Sequence, residues 1–207
     1  MSLKIVNLGL PKSGTTTLGE ALKAAGLSVA DWKIRPGQAK LRGFVGKLMY
    51  DGYFDGGDPL ALMPDFDAYS EIDIVRNGLN LWPQCDFGLL DAIRKHHPGA
   101  RFILTHREPY ALADSMRRWS NLGTRRLPKH AIPGLPEGYG DTTKQRVQWA
   151  EGHYEALTQF FENDPNFLEF TIADPDARVK ISAFLGRELP WWGHLNANPI
   201  REQLESG

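Results

Sequence analysis

The chain has 207 residues, 42% hydrophobic and 24% charged, which suits one domain with a buried core, taken as residues 1–207. Its 24 Lys+Arg against 25 Asp+Glu leave a net charge of −1, so no bulk field favours nucleic acid or an anionic membrane. One cysteine, Cys85, excludes an internal disulfide and a cysteine-based zinc cluster, and no stretch approaches the ~20 apolar residues of a membrane span. Pro11 interrupts the apolar start too early for a signal peptide, so a cytoplasmic location is expected.

In chain order, Lys4–Gly9 is a short apolar run ended by Gly and Pro, the pattern of a buried strand. From Thr15 the period becomes helical, with Leu18, Ala21, Leu22 and Ala25 on one face and Gly26 as the stop. The segment from Trp32 to Asp65 is rich in glycine and aromatics, with one helix expected near Ala39–Tyr50. A strand is expected at Phe66–Ser70 and a helix at Phe87–His97, stopped by Pro98-Gly99. A second strand–helix pair is centred on Arg101–His106, with Pro109 at the first helical position and Leu112, Ser115, Met116 and Trp119 at helical spacing. Ser120–Asp141 reads as a long Gly/Pro-rich loop that also holds Arg125, Arg126, Lys129 and His130. Val147, Ala150, Tyr154, Leu157 and Phe161 mark a long helix, Phe167–Thr171 a strand, and Asp174-Pro175 the opening of a last helix closed by Gly186. Strands alternating with helices predict an α/β fold with a mainly parallel central sheet flanked by helices in three layers.

Between the first strand and first helix stands G-L-P-K-S-G-T-T, residues 9–16. Backbone N–H groups at a helix start hold anions, glycine lets the backbone approach oxygen atoms, and the hydroxyls of Ser13, Thr15, Thr16 and Thr17 can donate. Against the nucleotide-triphosphatase pattern G-x-x-x-x-G-K-[ST], the glycines fit at 9 and 14 and the final hydroxyl at Thr16. The lysine position, however, holds Thr15, and the loop's lysine is Lys12. A triphosphate is normally neutralised by that lysine together with magnesium. A lysine inside the loop suits a smaller, less charged group.

The run P-K-S-G-T-T, Pro11 to Thr16, resembles the 5′-phosphosulfate loop of sulfotransferases that use 3′-phosphoadenosine 5′-phosphosulfate (PAPS). The resemblance implies a P-loop-like fold and a cofactor site of Pro11, Lys12, Ser13, Gly14, Thr15, Thr16 and Thr17. It also implies a second anchor on the 3′-phosphate, an Arg after a strand and a Ser eight positions later; Arg107 and Ser115 have that spacing. Arg offers a planar fork of donors matched to phosphate oxygens. Each residue alone also reads as a surface charge or an ordinary helix position; their spacing together with the loop carries the likeness. Trp149, His153, Asp174-Pro175, Phe184-Leu-Gly186 and Leu195-Asn-Ala-Asn198 extend it along the chain, most closely to a short bacterial and lower-eukaryotic branch. Two features depart from the cytosolic animal branch. Thr17 stands where that branch has an adenine-stacking Trp, and its R-K-G clasp has no match in residues 187–207. Arg125 or Arg126 is a candidate replacement for the clasp.

Sulfuryl transfer needs charge stabilised on the departing phosphate, for which Lys12 is the candidate, and a base for the acceptor. The cytosolic branch uses a His; the matching region here, Tyr69–Asp73, has the carboxylates Glu71 and Asp73, with Asp73 favoured. Either also reads as a helix cap or surface charge. His96-His97 reads as a helix-end pair favoured by the dipole, His106 as cleft-facing or buried, and His153 as packing beside Trp149. Trp191-Trp192 reads as core cover or acceptor platform. No histidine forms a metal constellation with acids. The expected activity is therefore sulfuryl transfer from PAPS, leaving 3′-phosphoadenosine 5′-phosphate (PAP), to a hydroxyl or amine of a small-molecule or carbohydrate acceptor without a required metal. A small P-loop kinase and a non-catalytic nucleotide-binding module are the alternatives.

Overall fold

The computed structural model describes residues 3–76 and 78–193. Among these residues nine strands form in chain order: β1 Ile5–Asn7, β2 Val29–Ala30, β3 Lys33–Ile34, β4 Gly43–Phe44, β5 Ala68–Tyr69, β6 Ile74–Arg76, β7 Leu79–Leu81, β8 Arg101–His106 and β9 Phe167–Thr171. Six α-helices accompany them: α1 Thr15–Ala24, α2 Val45–Gly56, α3 Phe87–His96, α4 Pro109–Arg118, α5 Thr143–Phe160 and α6 Ala177–Leu185. Five strands make one all-parallel sheet in the order β2-β5-β1-β8-β9. The chain leaves β1 toward one edge through α1 and β2, whereas β8 leads through α4 and α5 to β9 on the other side. The carboxyl ends of β1 and β8 therefore flank a topological switch point, where open parallel sheets form a crevice.

Successive residues of each strand face opposite layers, and the core divides accordingly. Ile5, Ala68, Ile103 and Phe170 pack with Leu18, Ala21 and Leu22 of α1 and Ala177 and Ile181 of α6. Their strand neighbours Val6, Tyr69, Phe102 and Leu104 pack with Leu89 and Ile93 of α3, Leu112 and Met116 of α4, and Trp149 and Leu157 of α5. Burial on both sides is why β1 and β8 read as continuous apolar runs. Trp192 sits edge-on to Phe170, so the C-terminal tryptophan pair covers this core.

The helix expected near Ala39–Tyr50 begins instead at Val45, because residues before it fold back as the β3–β4 hairpin. Trp32 stacks on Phe44 at 5.8 Å, and the Val45 N–H donates to the Trp32 carbonyl, which fixes the later start. The β6–β7 hairpin was not anticipated from periodicity. The long 120–141 segment contains one irregular turn, a π-helix at Leu122–Arg126. The Leu195–Asn198 tail lies outside the described residues.

Candidate functional site

The loop leaving β1 is shaped by a buried polar network. Asn7 accepts the Gly9 N–H on Oδ1 at 3.1 Å and donates through Nδ2 to the Ser70 carbonyl at 2.8 Å, tying β1 to the end of β5. Thr105 of β8 donates to the same Oδ1 at 3.2 Å, since a carbonyl oxygen only accepts. Thr105 must then accept from Ser13, whose hydroxyl lies 2.7 Å away. Gly9 is required here because a Cβ would fall 1.8 Å from Thr105 Oγ1. The Ser13 N–H is bonded to the Leu10 carbonyl, so Ser13, fully buried, holds the loop's shape with both of its donors. Pro11, Thr15 and Thr17 are also buried, whereas Thr16 lies at the surface of a cleft. Gly14 caps α1 at φ 111° with no side chain closing the helix end.

Lys12 adopts φ 73°, a left-handed conformation that costs a non-glycine residue roughly 1–2 kcal/mol. That twist turns its carbonyl to Arg107, whose Nη1 donates to it at 3.0 Å. Its ammonium lies 3.6 Å from the centroid of the Trp119 ring. Burial, then the neighbouring Arg107, holds the Lys12 pKa below its ordinary value. Arg107 is itself clasped by α5: the Tyr154 hydroxyl donates to its carbonyl at 3.3 Å and accepts its N–H at 3.4 Å. Glu108 then caps α4, accepting from the N–H groups of Tyr110 and Ala111. Ser115 is buried two turns into that helix. The anchors predicted at positions 12 and 107 thus meet at the switch point of the sheet.

Beside the loop opens a cleft of about 740 Å³. Thr16, Glu71, Asp73, Trp32, Trp119 and Arg126 are among its lining residues; Arg107 and Ser115 are not. Asp73 is buried and accepts from Gln84 Nε2 at 2.9 Å, while Glu71 is half-buried. Burial, then the nearby charges of Asp73 and Asp31, raises the Glu71 pKa well above the usual carboxylate range, against the pull of Lys12 and Arg126. Burial also raises Asp73, opposed first by its bond from Gln84. Glu71 is the more exposed of the two carboxylates, and Lys12 is an electrostatic neighbour. Asp73, favoured from the sequence, is the more enclosed of the two and also lines the cleft.

The 120–141 segment supplies one wall of the cleft, but of Trp32–Asp65 only Trp32 does so. The wall is irregular backbone, so its carbonyls need partners from elsewhere. Arg146 of α5, 1% exposed, donates to the carbonyls of Gly123, Gly140 and Asp141. Trp149 Nε1 holds the Pro133 carbonyl at 2.9 Å, and Asn80 of β7 holds that of Ala131 at 2.6 Å.

His153, read from sequence as a packing residue, has a more specific place. Its Nε2–H donates to the Leu8 carbonyl at 2.8 Å, where β1 turns into the loop, leaving Nδ1 3.6 Å from Cys85 Sγ. Burial pushes its pKa down to about 4, so it is neutral near pH 7. His106 faces Glu169 at 3.3 Å rather than the cleft, and His97 faces Asp58 at 2.9 Å. Arg126, considered as a nucleotide clasp, lines the cleft with Asp73, Arg76 and Glu71 as its electrostatic neighbours. Among the described residues no group of three or more His, Cys, Asp or Glu could hold a metal, and no helix is long and apolar enough to cross a membrane. Comparison with family models and with characterised proteins finds no match to this chain.

Proposed function

We propose that this chain is a PAPS-dependent sulfotransferase built on a P-loop-like fold. The observation that carries the reading is the 3.0 Å bond from Arg107 to the Lys12 carbonyl. It joins the two segments read from sequence as anion anchors, about 95 residues apart, at the sheet's switch point. The residues present fit an adenosine bisphosphate. The loop contributes a helix start, Thr16 a hydroxyl, and Lys12 and Arg107 two cations.

In this reading the 9–17 loop holds the 5′-phosphate end, and Arg107 with Ser115 the 3′-phosphate. PAPS supplies the sulfuryl group: the acceptor oxygen bonds to sulfur while the S–O bond to the 5′-phosphate breaks, its electron pair staying on the phosphate of PAP. Lys12 stabilises the charge gathering on that oxygen, and its partly desolvated ammonium acts more strongly than it would in water. Glu71, as carboxylate, takes the acceptor's proton, with Asp73, held by Gln84, lining the same cleft.

Calorimetric titration with PAP tests the reading directly. One-to-one binding, weakened when Arg107 is replaced by Ala, is the expected result; absence of heat at high micromolar PAP overturns it. Magnesium-dependent ATP binding in place of PAP binding would favour the kinase alternative. PAP binding without transfer to any of a broad acceptor panel would favour the non-catalytic one.

A further inference from the structure

The cleft beside Lys12 has a charge distribution that the donor site does not use. Arg126 stands on the π-helical turn with its backbone fixed at both ends. Its N–H donates to the Asn121 carbonyl at 2.9 Å, and its own carbonyl accepts from His130 Nδ1 at 2.7 Å. Its side chain is half-buried, and Nε is shut off from solvent with no hydrogen-bond partner among the described residues. Enclosing part of a guanidinium without satisfying its donors is costly, and such groups are normally paired. Yet among the described residues no carboxylate comes within ion-pair distance of Arg126, although Glu71 and Asp73 line the same cleft. A second guanidinium, Arg76, adds a like charge nearby.

The two indoles of the cleft are already engaged by cations. Trp119 carries the Lys12 ammonium, and Arg35 and Arg76 lie 5.6 and 5.5 Å from the Trp32 ring. Flat apolar acceptors therefore find no uncontested aromatic platform. A polar acceptor that brings its own negative charge finds a fixed cation, and a hydroxyl of the same molecule can turn to Glu71.

Resting on the sulfotransferase reading for what happens to that hydroxyl, we infer that the cleft selects hydroxyl-rich acceptors bearing a carboxylate or sulfate, and that Arg126 holds this anion. Arg126 is a specificity-determining residue, and its guanidinium pairs with the acceptor in place of the protein partner it lacks.

Binding, measured apart from turnover, tests the inference. Methyl β-D-glucuronide and methyl β-D-glucoside form one probe pair, N-acetylglucosamine 6-sulfate and N-acetylglucosamine another. Each is titrated at fixed ionic strength, with and without PAP, by ligand-observed NMR. At least one anionic probe should bind about tenfold or more tightly than its neutral partner, as expected for one charge-assisted contact. Arg126→Gln should bring that pair to parity, and Arg126→Lys should keep part of the preference, with thermal melts checking that each variant is folded. Equal binding within both wild-type pairs, no binding of either anionic probe, or a preference that survives Arg126→Gln overturns the inference. Loss of PAP binding with the anion preference intact would sink the sulfotransferase reading alone. Normal PAP binding without the preference would sink the anion subsite alone.

Discussion

Replacing Thr105 by Val keeps the shape of a fully buried side chain while deleting its hydroxyl, which isolates the network that sets the loop. Two hydrogen bonds disappear: the 2.7 Å bond from Ser13 and the 3.2 Å bond to Asn7. Asn7 Oδ1 keeps the Gly9 N–H, so its loss is about 1 kcal/mol, the net worth of an ordinary bond. Ser13, 0% exposed, keeps a donor with nowhere to go, which costs a further ~1–3 kcal/mol. The expected destabilisation is therefore about 3 kcal/mol. Ser13→Ala alone removes one bond but leaves Thr105 bonded to Asn7, and should cost only about 1 kcal/mol. In the double variant no stranded Ser13 hydroxyl remains, so the total should fall short of the sum by about 1–2 kcal/mol. Urea unfolding of the four proteins at pH 7, with m-values compared, measures this coupling. Additivity within about 0.5 kcal/mol would show that Ser13 and Thr105 act independently, and the proposed donor direction would be wrong.

Lys12→Ala should lower the rate of sulfuryl transfer by roughly 10²–10³-fold at saturating PAPS while circular dichroism stays unchanged; full turnover would remove Lys12 from the chemistry. Transfer should also fall as pH drops through the raised pKa of Glu71, because only the carboxylate accepts a proton. Glu71→Gln should abolish transfer, and an acid limb in the normal carboxylate range would contradict the assignment. The same shift has a sign for folding. Glu71 binds its proton more tightly folded than unfolded, so stability contributed by the protonated form declines as pH rises from its unfolded pKa through its folded one. Glu71→Gln should flatten that decline in denaturation midpoints. Finally, Arg146→Met should leave the Gly123, Gly140 and Asp141 carbonyls short of partners, destabilise by about 3 kcal/mol or more, and open residues 122–141 to limited proteolysis. Unchanged protease resistance there would refute its pinning role.

Much of the sheet could be read from the chain because its central strands are buried on both faces. The β8 boundaries, Arg101 to His106, coincide with the apolar run, and α1, α3 and α5 follow their 3.6-residue periods. Short hairpins escaped for the opposite reason: Lys33–Ile34 and Gly43–Phe44 are too brief to show alternation. A signal did exist for β6–β7, since an Asn-Gly dipeptide at 77–78 between apolar residues is a strong hairpin mark. The loop and Arg107 were visible as motifs, but the residue roles within them depend on contacts across the fold. Ser13 reads as a ligand donor, whereas in the fold its hydroxyl donates a hydrogen bond to Thr105, 92 residues later. Asp73 and Glu71 differ little on the page, and only Gln84 and burial separate an enclosed carboxylate from an accessible one.

Arg146 grips carbonyls near the start and at the end of the irregular cleft wall, like a thumb across the neck of a bag. The stretch between those grips builds none of the strands of the central sheet, yet it seats Leu127, Ile132 and Leu135 in the core, so its apolar anchors are fixed while its exposed positions are not. Under the proposed function, one wall of the acceptor cleft and the donor loop thereby sit on separate pieces of chain. Changing exposed positions such as Thr124, Arg125, Lys129 and Glu137, with the three apolar anchors kept, is thus the route to altering this wall without unseating the core.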